Sequence, residues 1–130
     1  MESLSLHTRN ISEQICRDIR ASSTIYILSS FIMRSGVEVI YDDLQAALHE
    51  GADIKILTGD YLYVTQPKAL ERLAELIGNN IEIRLWKSDG ISFHPKSFTF
   101  KHREEGAFLV GSSNLSRSAL RSGTEWSMRM

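Results

Sequence analysis

The residues with chemistry to offer are concentrated in two short stretches, Phe93-His94-Pro95-Lys96-Ser97-Phe98-Thr99-Phe100 and Gly111-Ser112-Ser113-Asn114. Pro95 and the aromatic alternation after it predict a strand from Pro95 to Lys101. Side chains at i and i+2 of a strand share a face, so His94 and Lys96 project together. A neutral imidazole, with a reference pKa of about 6.5, attacks phosphorus as a nucleophile, and its charged form gives up a proton. Lys96 adds a compact positive charge for non-bridging oxygens. Asn114 adds an amide N–H, and both donors gain strength as charge builds in a transition state. If the strand Ala107–Val110 that precedes Gly111 pairs with the His94 strand, one end of a hairpin carries His, Lys, Ser and Asn, a set suited to holding a tetrahedral anion.

Each of these residues also has a plainer reading. Asn114 reads equally as the N-cap of a short helix running to Leu120. Ser112, Ser113 and Ser116 are the hydroxyls placed to bind substrate, together with the backbone N–H groups of that helix start, and Ser116 also reads as a helix-start residue. His7, His49 and His102 lack a partner at useful spacing and read as surface histidines. No pair of carboxylates near the site has metal-ligand spacing, so neither a metal nor another cofactor is expected. Cys16 is the only cysteine, which excludes an internal disulfide and a cysteine-based zinc site; it reads as a buried apolar filler.

These residues must be positioned by the elements around them. Ile11, Ile15 and Ile19 recur at helical spacing, predicting a helix from Asn10 or Ser12 to about Ala21. Thr24–Leu28 reads as a buried strand. After the connection Ser29–Gly36, the spacing of Val37, Ile40, Tyr41, Leu44, Ala47 and Leu48 predicts a second helix ending near Gly51. Ile54–Leu57 is the next strand, bounded by Thr58-Gly59-Asp60. Pro67 opens a third helix with Leu70, Leu73, Leu76 and Ile77 as its apolar stripe, and Ile81–Trp86 alternates as a strand. This βαβαβ order predicts parallel strands with helical crossovers. Beyond Trp86 the order becomes strand, charged turn at 102–106, strand, short helix, and a last strand over Thr124–Met130, so the sheet is mixed. The expected fold class is α/β, with a mixed, mainly parallel sheet flanked by helices.

At 130 residues the chain is expected to be one domain, 1–130. A net charge of −1 carries no general basic excess, so any grip on DNA or RNA must be local or come from another domain or partner. No apolar run approaches the ~18 residues of a membrane span, and no signal peptide is evident, so a cytoplasmic location without membrane contact is expected.

The motif His94-x-Lys96 followed by Gly111-Ser112-x-Asn114 resembles that of the phospholipase D superfamily, whose enzymes cleave phosphodiesters through a histidine nucleophile. Phe31–Val37, Ile56–Tyr61, Gln66–Leu70, Phe93–Lys96, Gly111–Leu120 and Gly123–Trp126 together resemble the nuclease-like domain at the N-terminus of bacterial DEAD/DEAH-type helicases. In the superfamily's His-Lys-Asp (HKD) motif an Asp lies five residues after the Lys, where this chain has Lys101, and the spacing to Gly111 is longer than usual. Nuclease branches often replace that Asp by a later Glu, a position that Glu125 matches. The resemblance therefore gives Glu125 the role of orienting an imidazole, against the alternative of a solvated strand residue.

What the resemblance implies is a phospholipase D-like hydrolase. It would be a metal-independent nuclease acting on DNA more than RNA through a phosphohistidine, forming part of a longer helicase-linked protein. His94, Lys96, Asn114 and Glu125 would be catalytic. The mechanism needs two histidines while the chain holds one His-x-Lys, so a homodimer with a shared site is expected. The alternative is a catalytically idle nucleic-acid-binding or dimerisation module of the helicase. Lipid phosphodiester chemistry is disfavoured by the missing Asp and by the lack of an amphipathic membrane helix.

Overall fold

Alternating apolar residues assemble one seven-stranded sheet in a computed structural model that describes residues 3–123 and 125–130. The strands are β1 (Ser5–His7), β2 (Thr24–Ser29), β3 (Asp53–Gly59), β4 (Ile81–Trp86), β5 (Lys96–His102), β6 (Glu105–Gly111) and β7 (Ser127–Arg129). Helices α1 (Ser12–Ala21), α2 (Arg34–His49) and α3 (Pro67–Ala74) join the first four. A 3₁₀ turn at Tyr61–Tyr63 and a π-helical turn at Ser118–Ser122 complete the order. Across the sheet the strands run β1-β7-β6-β5-β2-β3-β4.

The pairings β2–β3 and β3–β4 are parallel, whereas β2–β5, β5–β6, β6–β7 and β1–β7 are antiparallel. The mixed α/β class therefore stands, and the expectation of a mainly parallel sheet is corrected to a mostly antiparallel one. The reason is covalent. Only α2 and α3 return the chain to the start of the sheet, and after Trp86 the non-helical segment 87–95 carries it across the strand ends instead. It re-enters on the far side of β2, running downward.

One sheet face is closed by the helices. Ile25, Ile27, Ile54, Ile56, Phe98, Phe100 and Leu109 point into a core shared with Ile15 and Ile19 of α1, Ile40 and Leu44 of α2 and Leu73 of α3. On the same face Arg129 of β7 donates twice to Asp18 of α1, at 2.9 and 2.7 Å, pinning the last strand to the first helix. The opposite face alternates outward through Tyr26, Lys55, Phe108, Val110 and Met128. Cys16 on α1 donates to the Val39 carbonyl at 3.6 Å, and burial, with Asp43 nearby, pushes its thiol pKa up to about 12.

Local expectations fail where geometry overrides periodicity. Helix α2 begins at Arg34, so Gly36 lies in its first turn, where any Cβ would stand 2.2 Å from the Leu115 carbonyl. The sequence places Ile77 in the α3 stripe, but the helix stops at Ala74 and Ile77 is exposed. Strand β1 has no alternation long enough to be read. The predicted last strand begins at Thr124, which lies outside the described residues; the observed one is Ser127–Arg129.

Candidate active site

The C-terminal ends of β2, β3, β4 and β6 and the start of β5 meet at one edge of the sheet. His94 lies just before β5, exposed, and Lys96 opens that strand. Lys96 Nζ donates to the His94 backbone carbonyl at 3.1 Å, so the two expected partners do sit together. The Tyr61 ring meets the His94 imidazole edge-on, with centroids 5.6 Å apart and planes at 85°.

The register brings the second stretch to the first. Lys96 is the cross-strand partner of Ser29, and directly opposed residues share a face. Ser29 Oγ lies 3.4 Å from the Asn114 amide oxygen and accepts from the Leu115 N–H at 3.0 Å. Ser30 Oγ donates to the same amide oxygen at 2.5 Å, and the Phe31 N–H reaches it at 3.4 Å. Ser30 Oγ and the Phe31 N–H thus hold one end of the Asn114 side chain, which is only 8% exposed, while the Ser29 hydroxyl donates to the Phe31 carbonyl at 2.6 Å. Among the described residues nothing accepts from its amide nitrogen, which leaves that nitrogen as the free donor of the pair.

Asn114 is consequently not a helix cap. That duty falls to Ser116, whose hydroxyl accepts from the Ala119 N–H at 3.2 Å, ahead of the turn Ser118–Ser122. The hydroxyls named for substrate separate in the same way. Ser113 is buried and lies 3.4 Å from Ser127 Oγ, and Ser116 is buried in its cap. Ser112 is exposed, donates to the Glu125 carboxylate and accepts from the Trp126 N–H at 3.0 Å. Within one chain Glu125 is therefore held by Ser112, and among the described residues no hydrogen bond joins it to His94. Gly111 is required here, because a Cβ would fall 2.2 Å from the Trp126 carbonyl.

Several residues that hold the site carry little signal in the sequence. Asp60 accepts from the Ser88 N–H at 2.8 Å, and this hydrogen bond, first among its causes, lowers the Asp60 pKa below the ordinary carboxylate value. The loop that ends in His94 is fastened to β3 by that bond. Ser29 and Ser30 act through partners 84 to 86 residues away, which no spacing rule detects. The available hints were that Gly59-Asp60 and Ser29-Ser30 each end a buried strand with small polar residues.

Residues 15–129 match the family model described as a cardiolipin synthase, PLD-like domain. The chain belongs to this phospholipase D-like family. Comparison with curated proteins returns no match. Among solved structures, this phospholipase D-like chain is similar to NucT from Helicobacter pylori, at 17% identity over 98% of this chain and 84% of that one, with a TM-score of 0.68. It is also similar to Nuc from Salmonella typhimurium, a phospholipase D family member, at 18% identity over 98% and 82%, with a TM-score of 0.69. Phosphatidylserine synthase from Haemophilus influenzae shares 17% identity over 98% of this chain and 34% of its own, with a TM-score of 0.74. At these identities the likeness shows the phospholipase D-like fold. Among the described residues no helix is long and apolar enough to cross a membrane, and no three His, Cys, Asp or Glu side chains gather as a metal site requires.

Proposed function

We propose that the chain is a phosphodiesterase that cleaves DNA through a phosphohistidine without a metal, as a two-fold dimer and as the nuclease module of a helicase-linked protein. The observation that carries this reading is the fixed Asn114 amide, its oxygen held by Ser30 and its nitrogen without an acceptor among the described residues, beside Ser29, the cross-strand partner of Lys96. A donor anchored in that way is preorganised for a non-bridging phosphate oxygen. The similarity to Nuc, a phospholipase D family member, supports the reaction type.

In the first step an imidazole nitrogen of His94 in one copy attacks phosphorus. The bond to the leaving oxygen breaks, and the protonated His94 of a second copy gives that oxygen a proton. In the second step the now neutral second imidazole takes a proton from water, whose oxygen attacks phosphorus. The phosphorus–nitrogen bond breaks, releasing a phosphomonoester and restoring both histidines. Lys96 and Asn114 hold the phosphate throughout. Glu125 and Ser112, at the same strand ends, are the groups available to orient an imidazole of the second copy.

The test is cleavage of labelled single- and double-stranded DNA and RNA in excess EDTA, with His94→Ala alongside. Cleavage should persist and leave an alkali-stable, acid-labile phosphoprotein. Activity that appears only with Mg²⁺ or Mn²⁺ removes the histidine mechanism, and binding without cleavage favours the idle module. Refolding wild-type and His94→Ala chains together in equal amounts, so that they pair at random, should leave about one quarter of the activity for a shared site, against about one half for independent sites.

A further inference from the structure

The motif segments around His94 also bring aromatic rings to the surface. The Trp86 and Phe93 rings lie nearly parallel, 10° apart with centroids at 6.1 Å, and Tyr61 stands against His94. Trp86 is 53% exposed and Tyr63 is 90% exposed, so neither ring is buried in the core. The arrangement is built into the sheet. Gly59 and Trp86 are cross-strand partners, and the Phe93 ring occupies the space that a side chain at Gly59 would need, since a Cβ there would be 2.5 Å from Phe93 Cδ1. Phe93 thus fills the gap left by the glycine and lies flat against the indole on the next strand. Leu62 and Tyr63 hold left-handed backbone angles, φ 57° and 54°, in the turn that turns Tyr63 outward. One cation is placed beside them: Lys96 Nζ sits on the carbonyl of His94, whose ring meets Tyr61, and Lys87 follows Trp86 in the chain.

We infer that these rings are a stacking platform that makes single-stranded nucleic acid the preferred substrate of the His94 site. The inference rests on the phosphodiesterase reading above. A duplex keeps its base faces stacked inside, beyond the reach of a side chain, whereas a single strand presents every face. Base–aromatic stacking beside a cationic groove is the general way of holding such a strand. A chain of net charge −1 does not bind polyanions over its whole surface, so the local combination of rings and cations selects this place.

The experiment compares the wild-type full chain with Trp86→Ala, Trp86→Phe and Tyr63→Ala on three substrates. These are a 12-nucleotide oligothymidylate, a duplex of equal length, and methyl p-nitrophenyl phosphate, which is too small to reach the rings. Trp86→Ala and Tyr63→Ala should each lower kcat/KM on the single strand about tenfold, mainly through KM, with Trp86→Phe restoring most of it and the other two substrates unaffected. An equal loss on all three substrates, or no loss on the single strand, overturns the platform. So does a shift from dimer to monomer in sedimentation with strand preference intact, which would make the rings an interface between copies. If the wild-type chain hydrolyses nothing, the phosphodiesterase reading fails by itself. Fluorescence anisotropy on the labelled oligothymidylate and duplex then decides the platform: a single-strand preference lost in Trp86→Ala upholds it, and equal binding of both overturns it.

Discussion

The two sides of the candidate site are built to different standards. On one side Asn114 is buried, its amide oxygen is gripped by Ser30 and approached by Ser29 and Phe31, and the chain around it is locked by Leu115, whose carbonyl accepts from Met33 N at 2.9 Å. On the other side His94 is exposed on the loop that spans the strand ends, steadied by Tyr61, by the Lys96 ammonium on its carbonyl, and through Asp60 at a distance of six residues along the loop. The group that must hold still is rigid. His94, which in the proposed reaction approaches phosphorus and serves alternately as nucleophile and proton carrier, is left accessible. Substitutions should therefore separate cleanly: changes on the His94 side should alter rate with little change in stability, and changes on the Asn114 side should alter both.

The largest expected effect is His94→Ala, a loss of rate on the order of 10⁴-fold with an unchanged melting temperature. A fall in melting temperature of several degrees would mean that the imidazole is structural. Next come Lys96→Ala and Asn114→Ala, each costing ~10²–10³ in rate. Only the second should also lose stability, about 1–3 kcal/mol, because Ser30 and the Phe31 N–H would be left without their acceptor. Asn114→Asp keeps the acceptor oxygen and removes the N–H donor, so it should retain more stability than Asn114→Ala while remaining slow; recovery of both would deny that the amide donates to substrate. Ser30→Ala is milder, removing one hydrogen bond worth about 1 kcal/mol and loosening Asn114, which calorimetry and kcat read separately.

The smallest effect is one of pH. The lowered Asp60 carboxyl stabilises the loop when ionised, so its contribution is present above the ordinary value of 3.8 and is lost as pH falls below it. Trp86 fluorescence should report loosening of residues 87–95 in that acid range, and Asp60→Ala, which removes the acceptor, should show the loosened signal at every pH. A wild-type signal that stays flat through the acid range would detach Asp60 from the loop.

Periodicity made α1, α2, α3 and the first three core strands legible in the sequence, because each buries one face against the next. Strand direction was not legible to the same degree. It depends on segment 87–95 crossing the strand ends, which composition does not announce. The His94–Lys96 pair could be read because its two residues are local to each other. Asn114 reads both as an amide donor and as a cap; what holds it could not be read, since the groups that fix its amide oxygen lie at 30 and 31, far away in sequence, and a Ser-Asn pair before a helix resembles a cap from nearby residues alone. Gly36 and Gly59 were visible as glycines, but their reason is the backbone of Leu115 and the ring of Phe93, both distant along the chain.

The single cysteine has a practical meaning. Burial and Asp43 push the Cys16 thiol up to about 12, so it should react slowly with maleimides and nitroxide reagents. The native chain should therefore give a low labelling background. A Ser92→Cys substitution on the exposed loop would be the one labelled position, and in a dimer it would form a matched pair of spin labels. Their separation would report how far apart the two His94 loops sit, with and without a bound strand.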